Sequence, residues 1–228
     1  MRIGIFTALE EESRSFLQHA ESCVQAGDFT VWKLDIGDVY LCRPPVVGEI
    51  AAAAACQLLI SRFNVQAILN FGVVGALTER TRTFSTMYVH SVVHYAKDTT
   101  GIDDCPLGQY ECFPSVAVDT DGDLLKTALT VHKLPVVRCA SADKFVADSG
   151  EKSMLNSLFG ADICDMESAG VLFTCKFNGV PCLLIKCVSD SLYGGSGEYD
   201  KNSDKAAQHF FALAEGLVKK LQGATSAG

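Results

Sequence analysis

Asp165 and Glu167, with Met166 between them, open the otherwise apolar stretch "ICDMESAGVLF". Carboxylates in such a place do one of two things. They begin a helix, whose N-terminal dipole favours acids, or they hold something polar by accepting hydrogen bonds, passing a proton or balancing positive charge. The same choice recurs along the chain. Glu10, Glu11 and Glu12 follow the first apolar run, "RIGIFTA". Asp190 ends another in "CVSDS", where the plain alternative is a helix or turn cap. The glycines of "GVVG", Gly72 and Gly75, can let backbone approach a ligand closely, and "SADKF" sets a lone phenylalanine, Phe145, after a further apolar run.

These residues fall at the ends of expected strands. "RIGIFTA", "VQAILNFG", "TMYVHSVVHYA", "LPVVRCAS" and "VPCLLIKCVSDSL" read as strands, and "FTVWKLDIG" with "VYLCRPP" as a hairpin turning at Gly37 and Asp38. "LEEESRSFLQHA", "GEIAAAAACQLLISRF", "DGDLLKTALTVHK" and "EKSMLNSLFG" read as helices, and "ADICDMESAGVLFTCKFNG" as a strand passing into a helix that stops at Gly179. "DKAAQHFFALAEGLVKKLQ" reads as one final amphipathic helix with Phe210, Leu213, Leu217 and Leu221 on a stripe. "GVVGAL" reads as a glycine-flanked turn, and residues 97–115 as an excursion without regular structure.

Apolar strands alternating with helices argue for an α/β fold: a single domain over residues 1–222, with a central mixed β-sheet flanked by helices and a flexible tail at 223–228. In such sheets ligands bind beyond the carboxyl ends of the strands, so five punctuated strand ends suggest one site assembled from the whole chain.

The totals exclude several classes. The 228 residues are 48% apolar and 20% charged, the composition of a well-buried globule. A net charge of −8 without a basic run argues against nucleic acid and anionic membranes as partners. No apolar run reaches the roughly 18–20 residues of a membrane span. The acids straight after the first apolar run argue against a signal peptide. Ten scattered cysteines, several inside apolar runs, read as reduced thiols in a cytoplasmic protein.

"MRIGIFTALEEE", "NFGVVGAL", "SADKFV", "CDMESAGV" and "CVSDS" occur in the order and at about the spacing of the nucleoside phosphorylase/nucleosidase superfamily. Across essentially the whole chain the sequence resembles the bacterial 5′-methylthioadenosine/S-adenosylhomocysteine nucleosidases. The resemblance implies a nucleoside phosphorylase-like fold, hydrolysis of an N-ribosidic bond, no cofactor, no metal and a homodimer. It implies that Asp190 protonates the leaving purine and that Glu12 is the base that activates water. Glu167 and Met166 would meet the ribose, while Phe145, the backbone of Val146 and Ser189 would meet the base. Gly72, Val73 and Gly75 would form the glycine turn. Val47, Tyr199 and Asp103 would stand near the 5′ group, the excursion closing the partner's pocket.

The chain departs from the family pattern at named positions. Val73 replaces a serine and Lys186 an arginine, both of which help position water; "PPVVGE" replaces "GIGK" before the alanine-rich helix. Thr100 and Asp103 stand where apolar residues are usual, which suits a more polar 5′ substituent. The resemblance assigns Asp165 no role. A phosphorylase would need to seat a phosphate dianion beside Glu10–Glu12, where each carboxylate at about 4 Å costs on the order of 1–4 kcal/mol. Arg80 and Arg82 lie further along than that role needs, so water is the expected nucleophile. A nucleoside-binding protein without turnover is the remaining alternative.

Overall fold

Burial on both faces makes the strands of this chain read as apolar runs. In the computed structural model, which describes residues 1–225, β1 (Ile3–Phe6) and the last strand, β10 (Cys182–Asp190), are buried at every position. The described residues form one ten-stranded sheet and seven helices. After β1 come α1 (Glu10–Leu17), β2 (Ala20–Ala26), β3 (Phe29–Leu34), β4 (Val39–Arg43) and α2 (Glu49–Phe63). The middle of the chain supplies β5 (Ala67–Ala76), β6 (Thr86–His94), β7 (Val118–Asp119), α3 (Gly122–Val131) and β8 (Val136–Ser141). Then follow α4 (Ser149–Phe159), β9 (Ile163–Asp165), α5 (Ser168–Asn178), β10, α6 (Ser196–Ala207) and α7 (Phe210–Thr225). Of the tail expected at 223–228, residues 226–228 lie outside the described residues.

The sheet is mixed, in the order β10-β6-β8-β9-β5-β1-β4-β3-β2. Strand β5 runs parallel to β1 and β10 and antiparallel to β9. Because β10 pairs with β5 as well as with β6, strands β5, β9, β8, β6 and β10 close into a ring, from which β1, β4, β3 and β2 extend as an open wing. Helices α2 and α5 cover one side, burying Ala52, Ala55, Leu59, Val171 and Leu172 with Phe6 and Ile68. Helices α1, α3, α6 and α7 cover the other, with Phe16, Leu124, Ala207 and Phe210 against Ile3, Ile5 and Leu69. The central mixed sheet flanked by helices is the expected architecture.

Two expectations change, and one strand goes unread. The "GVVG" segment is no turn: Gly72, Val73 and Gly75 lie inside β5, which runs on to Ala76 because both β10 and β9 pair with it there. The final helix is two, α6 and α7, separated at Gln208 and His209. Phe210 and Leu217 are nevertheless buried on the expected stripe. Strand β2 escapes sequence reading because six of its seven residues are exposed on the sheet edge, so no apolar period marks it.

Small residues bring α2 and α5 together near the site. A Cβ on Gly170 would collide with the backbone carbonyl of Glu49, which has no flexible side chain to yield. Gly170→Ala is therefore expected to cost about 1–3 kcal/mol by overpacking. A urea titration should show the lower midpoint; an unchanged midpoint would mean the two helices separate freely.

Candidate active site

The strand ends converge on one cleft that opens to solvent. Glu12, Val73, Gly75, Phe145, Met166, Glu167, Ser189, Asp190, Tyr199 and Val47 all line it, as do Leu9, Val74, Cys164 and Asp165. Three further residues named from the sequence do not line this chain's cleft. Gly72 lies behind the wall, where a Cβ would come within 3.0 Å of Lys186 Nζ and 3.4 Å of Glu12 Oε1. Val146 is buried against Leu77, Ala140 and Leu155. Asp103 sits in the excursion, outside this chain's cleft, accepting from Thr99 Oγ1 and the Cys105 amide. Gly75 serves the site differently from expectation: its missing side chain makes room for Asp190, whose Oδ2 would lie 3.0 Å from a Cβ there.

Glu12 sits in the first turn of α1 and uses both carboxylate oxygens. Oε2 accepts from the amides of Ala8 (2.7 Å) and Leu9 (2.9 Å), as a helix cap does, while Oε1 accepts from the Val73 amide at 2.8 Å across the cleft floor. Capping and reaching into the site are thus one arrangement. Burial raises its pKa above the ordinary value; the Val73, Leu9 and Ala8 amides and the charge of Lys186 oppose that rise without cancelling it.

Glu167 is the N-cap residue of α5, yet its side chain turns away from the helix and accepts from the Gly48 amide at 2.9 Å. The segment "PPVVGE" thereby acquires a purpose. Gly48 has φ of 108°, and a Cβ there would sit 2.5 Å from Asp143 Oδ1, so only glycine presents this amide comfortably. Burial, then the neighbouring Asp165 and Glu12, push Glu167 up to about 8.

The native state therefore holds a proton on Glu167 that the unfolded chain, at 4.5, gives up. This contribution to stability is fully present below about 4.5 and is lost as pH rises through about 8. Thermal unfolding across that window should show a midpoint falling with pH. Glu167→Gln should flatten the fall, leaving the same-sign slope of Glu12; an unaltered slope would place the proton elsewhere.

Asp165 is both a helix-start acid and a counter-ion. Its carboxylate accepts from the Ser168 amide (3.2 Å) and hydroxyl (2.5 Å) and pairs with Lys186 Nζ at 2.7 Å. Burial would raise its pKa, but Lys186 and Ser168 outweigh that and hold it below the usual carboxylate range. Burial would likewise lower Lys186, and Asp165 more than reverses it. Lys186 is thus a fixed ammonium beneath the cleft floor, close to Glu12 and Glu167.

Asp190 ends β10 just past a register shift between Val188 and Asp190, which re-aims it toward Gly75. Ser189 Oγ donates to its Oδ1 at 2.9 Å, and Lys152 Nζ lies 2.5 Å from Oδ2. Sequence reading missed Lys152, which is wholly buried on α4. A signal existed: Lys152 stands three residues before Leu155 on the stripe that α4 buries, where an aliphatic residue is usual.

Phe145 packs edge-on against Tyr199 of α6, ring centroids 5.4 Å apart, forming an aromatic wall. Burial and the nearby Glu12 and Glu11 push the Tyr199 phenol up to about 12, so it is neutral. Burial does the same to Cys164, at about 12, so the cleft offers no thiolate. Among the described residues the one His, Cys, Asp or Glu cluster close enough to share a metal ion is Asp103, Cys105 and Glu111, on the excursion. Chemically, then, the cleft presents four carboxyl groups against two buried ammoniums, with an aromatic and aliphatic wall. That suits a flat ring joined to a hydroxyl-bearing part that turns positive.

A ring-closed mixed sheet with carboxyl groups gathered in a cleft at its strand ends defines the class: a mixed α/β protein. The chain belongs to the phosphorylase superfamily, whose family model matches residues 2–219. Among curated proteins it is 29% identical to the aminodeoxyfutalosine nucleosidase of Campylobacter jejuni, over 68% of each chain. It is 27% identical to the 5′-methylthioadenosine/S-adenosylhomocysteine nucleosidase of Treponema pallidum, over 97% of this chain and 94% of that one. Among solved structures the futalosine hydrolase of Helicobacter pylori superposes with a TM-score of 0.90 at 25% identity, covering 96% and 98% of the two chains.

Proposed function

We propose that this protein is an N-ribosyl hydrolase that cleaves a 5′-substituted adenosine, 5′-methylthioadenosine or S-adenosylhomocysteine, to adenine and the substituted ribose. The observation that carries the reading is the meeting of Glu12, Glu167 and Asp190, from separate parts of a superfamily chain, around one cleft with an aromatic wall. The purine lies at the Phe145 end, where Asp190 protonates its departing nitrogen. The ribose lies over Met166, its hydroxyls donating to Glu167. As the bond breaks the sugar gains oxocarbenium character, which the Glu12 carboxylate stabilises. Glu12 takes the proton from the attacking water; its raised pKa makes it a stronger base than an ordinary carboxylate.

Val73 offers water no hydroxyl, so the Lys186 ammonium and Glu12 are left to orient it. The acids on the first loop disfavour phosphate as the nucleophile. The relatives named above include enzymes named for aminodeoxyfutalosine as well as for methylthioadenosine, and the Tyr199 hydroxyl makes the 5′ end more polar than a purely apolar wall. A bulkier, more polar 5′ group is therefore the second reading.

We further infer a homodimer. Val46, Val47 and Ile50 of the α2 approach and Ile102 of the excursion are exposed, Ile50 at 82% and Ile102 at 88%, and Val47 also lines the cleft. A second copy over this face would cover them and close the 5′ end. Ten free thiols fit the reducing cytoplasm, where we place the protein.

Incubation with a panel of adenosines bearing methylthio, homocysteinyl and aminodeoxyfutalosine-type 5′ groups, with and without phosphate, tests the reading. Free base should appear without phosphate. Base release that requires phosphate would make the protein a phosphorylase; tight binding without release would make it a binding protein.

A further inference from the structure

Lys152 is absent from every role assigned above, yet it is the most completely buried cation of the site. None of its surface reaches solvent. Its Nζ lies 2.5 Å from Asp190 Oδ2 and donates to the Ser191 carbonyl at 2.7 Å. A buried ammonium is costly unless paired and hydrogen-bonded, and here its partner is the one carboxylate placed to act on the leaving base. The same chain segment that carries Phe145 runs seven residues on into α4 and delivers Lys152. Base wall and cation are therefore built together. The other charged groups nearby are already engaged: Glu198 of α6 accepts from the Ser191 amide at 2.5 Å, and Glu151 pairs with Lys144.

We propose that Lys152 is the proton-holding partner of Asp190, so that the acid which releases the base is the Lys152–Asp190 pair. The pair carries one transferable proton along the Nζ–Oδ2 contact. Breaking an Nζ–H bond and forming Oδ2–H converts ammonium and carboxylate into amine and carboxylic acid. As the glycosidic bond breaks, that O–H bond breaks and an N–H bond forms on the leaving purine. The lysine ends as the amine, Asp190 as the carboxylate it was, and the base departs neutral. Water taken up in the reaction supplies the proton that restores the ammonium when products leave. The Ser189 hydroxyl on Oδ1 and the Ser191 carbonyl on Nζ keep both groups aligned throughout.

The inference rests on the proposed hydrolase reading, and one experiment separates the two. Lys152→Met and Lys152→Arg are compared with the parent on the best adenosine of the panel and on a 4-nitrophenyl riboside carrying the same 5′ group. The aryl group leaves without protonation. Both variants should lose at least about 100-fold in kcat on the adenosine with KM within a few-fold, and should keep most of their rate on the aryl riboside. Arginine does not rescue, because guanidinium keeps its proton in proteins. Parent-like kcat in Lys152→Arg would show that charge alone suffices and overturn the proton-sharing role. Equal losses on both substrates would mean Lys152 only supports the fold, and would overturn it too. Should Lys152→Met not fold, Lys152→Gln is read the same way. A parent protein that releases base from no nucleoside would instead sink the hydrolase reading.

Discussion

Asp190→Asn is expected to lower kcat/KM for base release by about 10²–10⁴-fold, the range a positioned general acid contributes. An amide matches the carboxyl in shape but has no proton to give to the leaving nitrogen. Shape is not the whole consequence, however. Asp190 neutralises Lys152 at 2.5 Å inside the protein, and an asparagine leaves that ammonium unpaired. If its NH₂ turns to Lys152, two donors face each other; if its oxygen does, the NH₂ meets the Ser189 hydroxyl. Removing one partner of a buried pair costs about 3–5 kcal/mol, so the variant should also unfold at lower urea. Two measurements keep the effects apart. Kinetics well below the unfolding midpoint report the missing acid. The double variant Asp190→Asn/Lys152→Met should regain stability without regaining rate. Most of the parent's rate in folded Asp190→Asn would show that another group protonates the base.

The sheet and most of its helices were legible because burial writes itself into composition: "IGIF" and "CLLIKCVSD" have no solvent face to display. What stayed illegible depends on contacts between distant segments. The ring closure of β5 with β10 turns an expected "GVVG" loop into strand, and nothing local in Gly72 or Gly75 announces it. Their absent side chains make way for Lys186, Glu12 and Asp190 rather than for a ligand. Among the acids, sequence pointed to Glu12, Glu167 and Asp190 through motif order, but it marked neither Lys152 nor Lys186 as the buried counter-ion of an aspartate. Lysine is read as a surface residue by default. Lys152 and Lys186 sit inside because each meets an aspartate across the fold, at sequence separations of 38 and 21. Asp165 is the converse case: the helix-start explanation holds through Ser168, and pairing with Lys186 is added to it.

Glu12→Gln should be nearly as damaging as Asp190→Asn, by a different route. Glu12 meets three backbone amides, two through Oε2 and one through Oε1. Glutamine has one oxygen and one NH₂. Whichever way the amide turns, its NH₂ faces amide donors at the α1 cap or at Val73, and a buried donor left unsatisfied costs about 1–3 kcal/mol. The second loss is chemical, since a neutral amide takes no proton from water and offers no negative charge to an oxocarbenium-like sugar. A fall in kcat of about 10²–10⁴-fold is expected, with KM changed much less, since the ribose contact proposed above is Glu167 rather than Glu12. Burst measurements locate the loss: an adenine burst followed by slow turnover would mean that Glu12 acts on water after the bond has broken, whereas slow adenine release without a burst would place it in the bond-breaking step. Were Glu12 merely a helix cap, the variant assayed where it is fully folded would match the parent rate, and the carboxylate that spans α1 and β5 would be architecture alone.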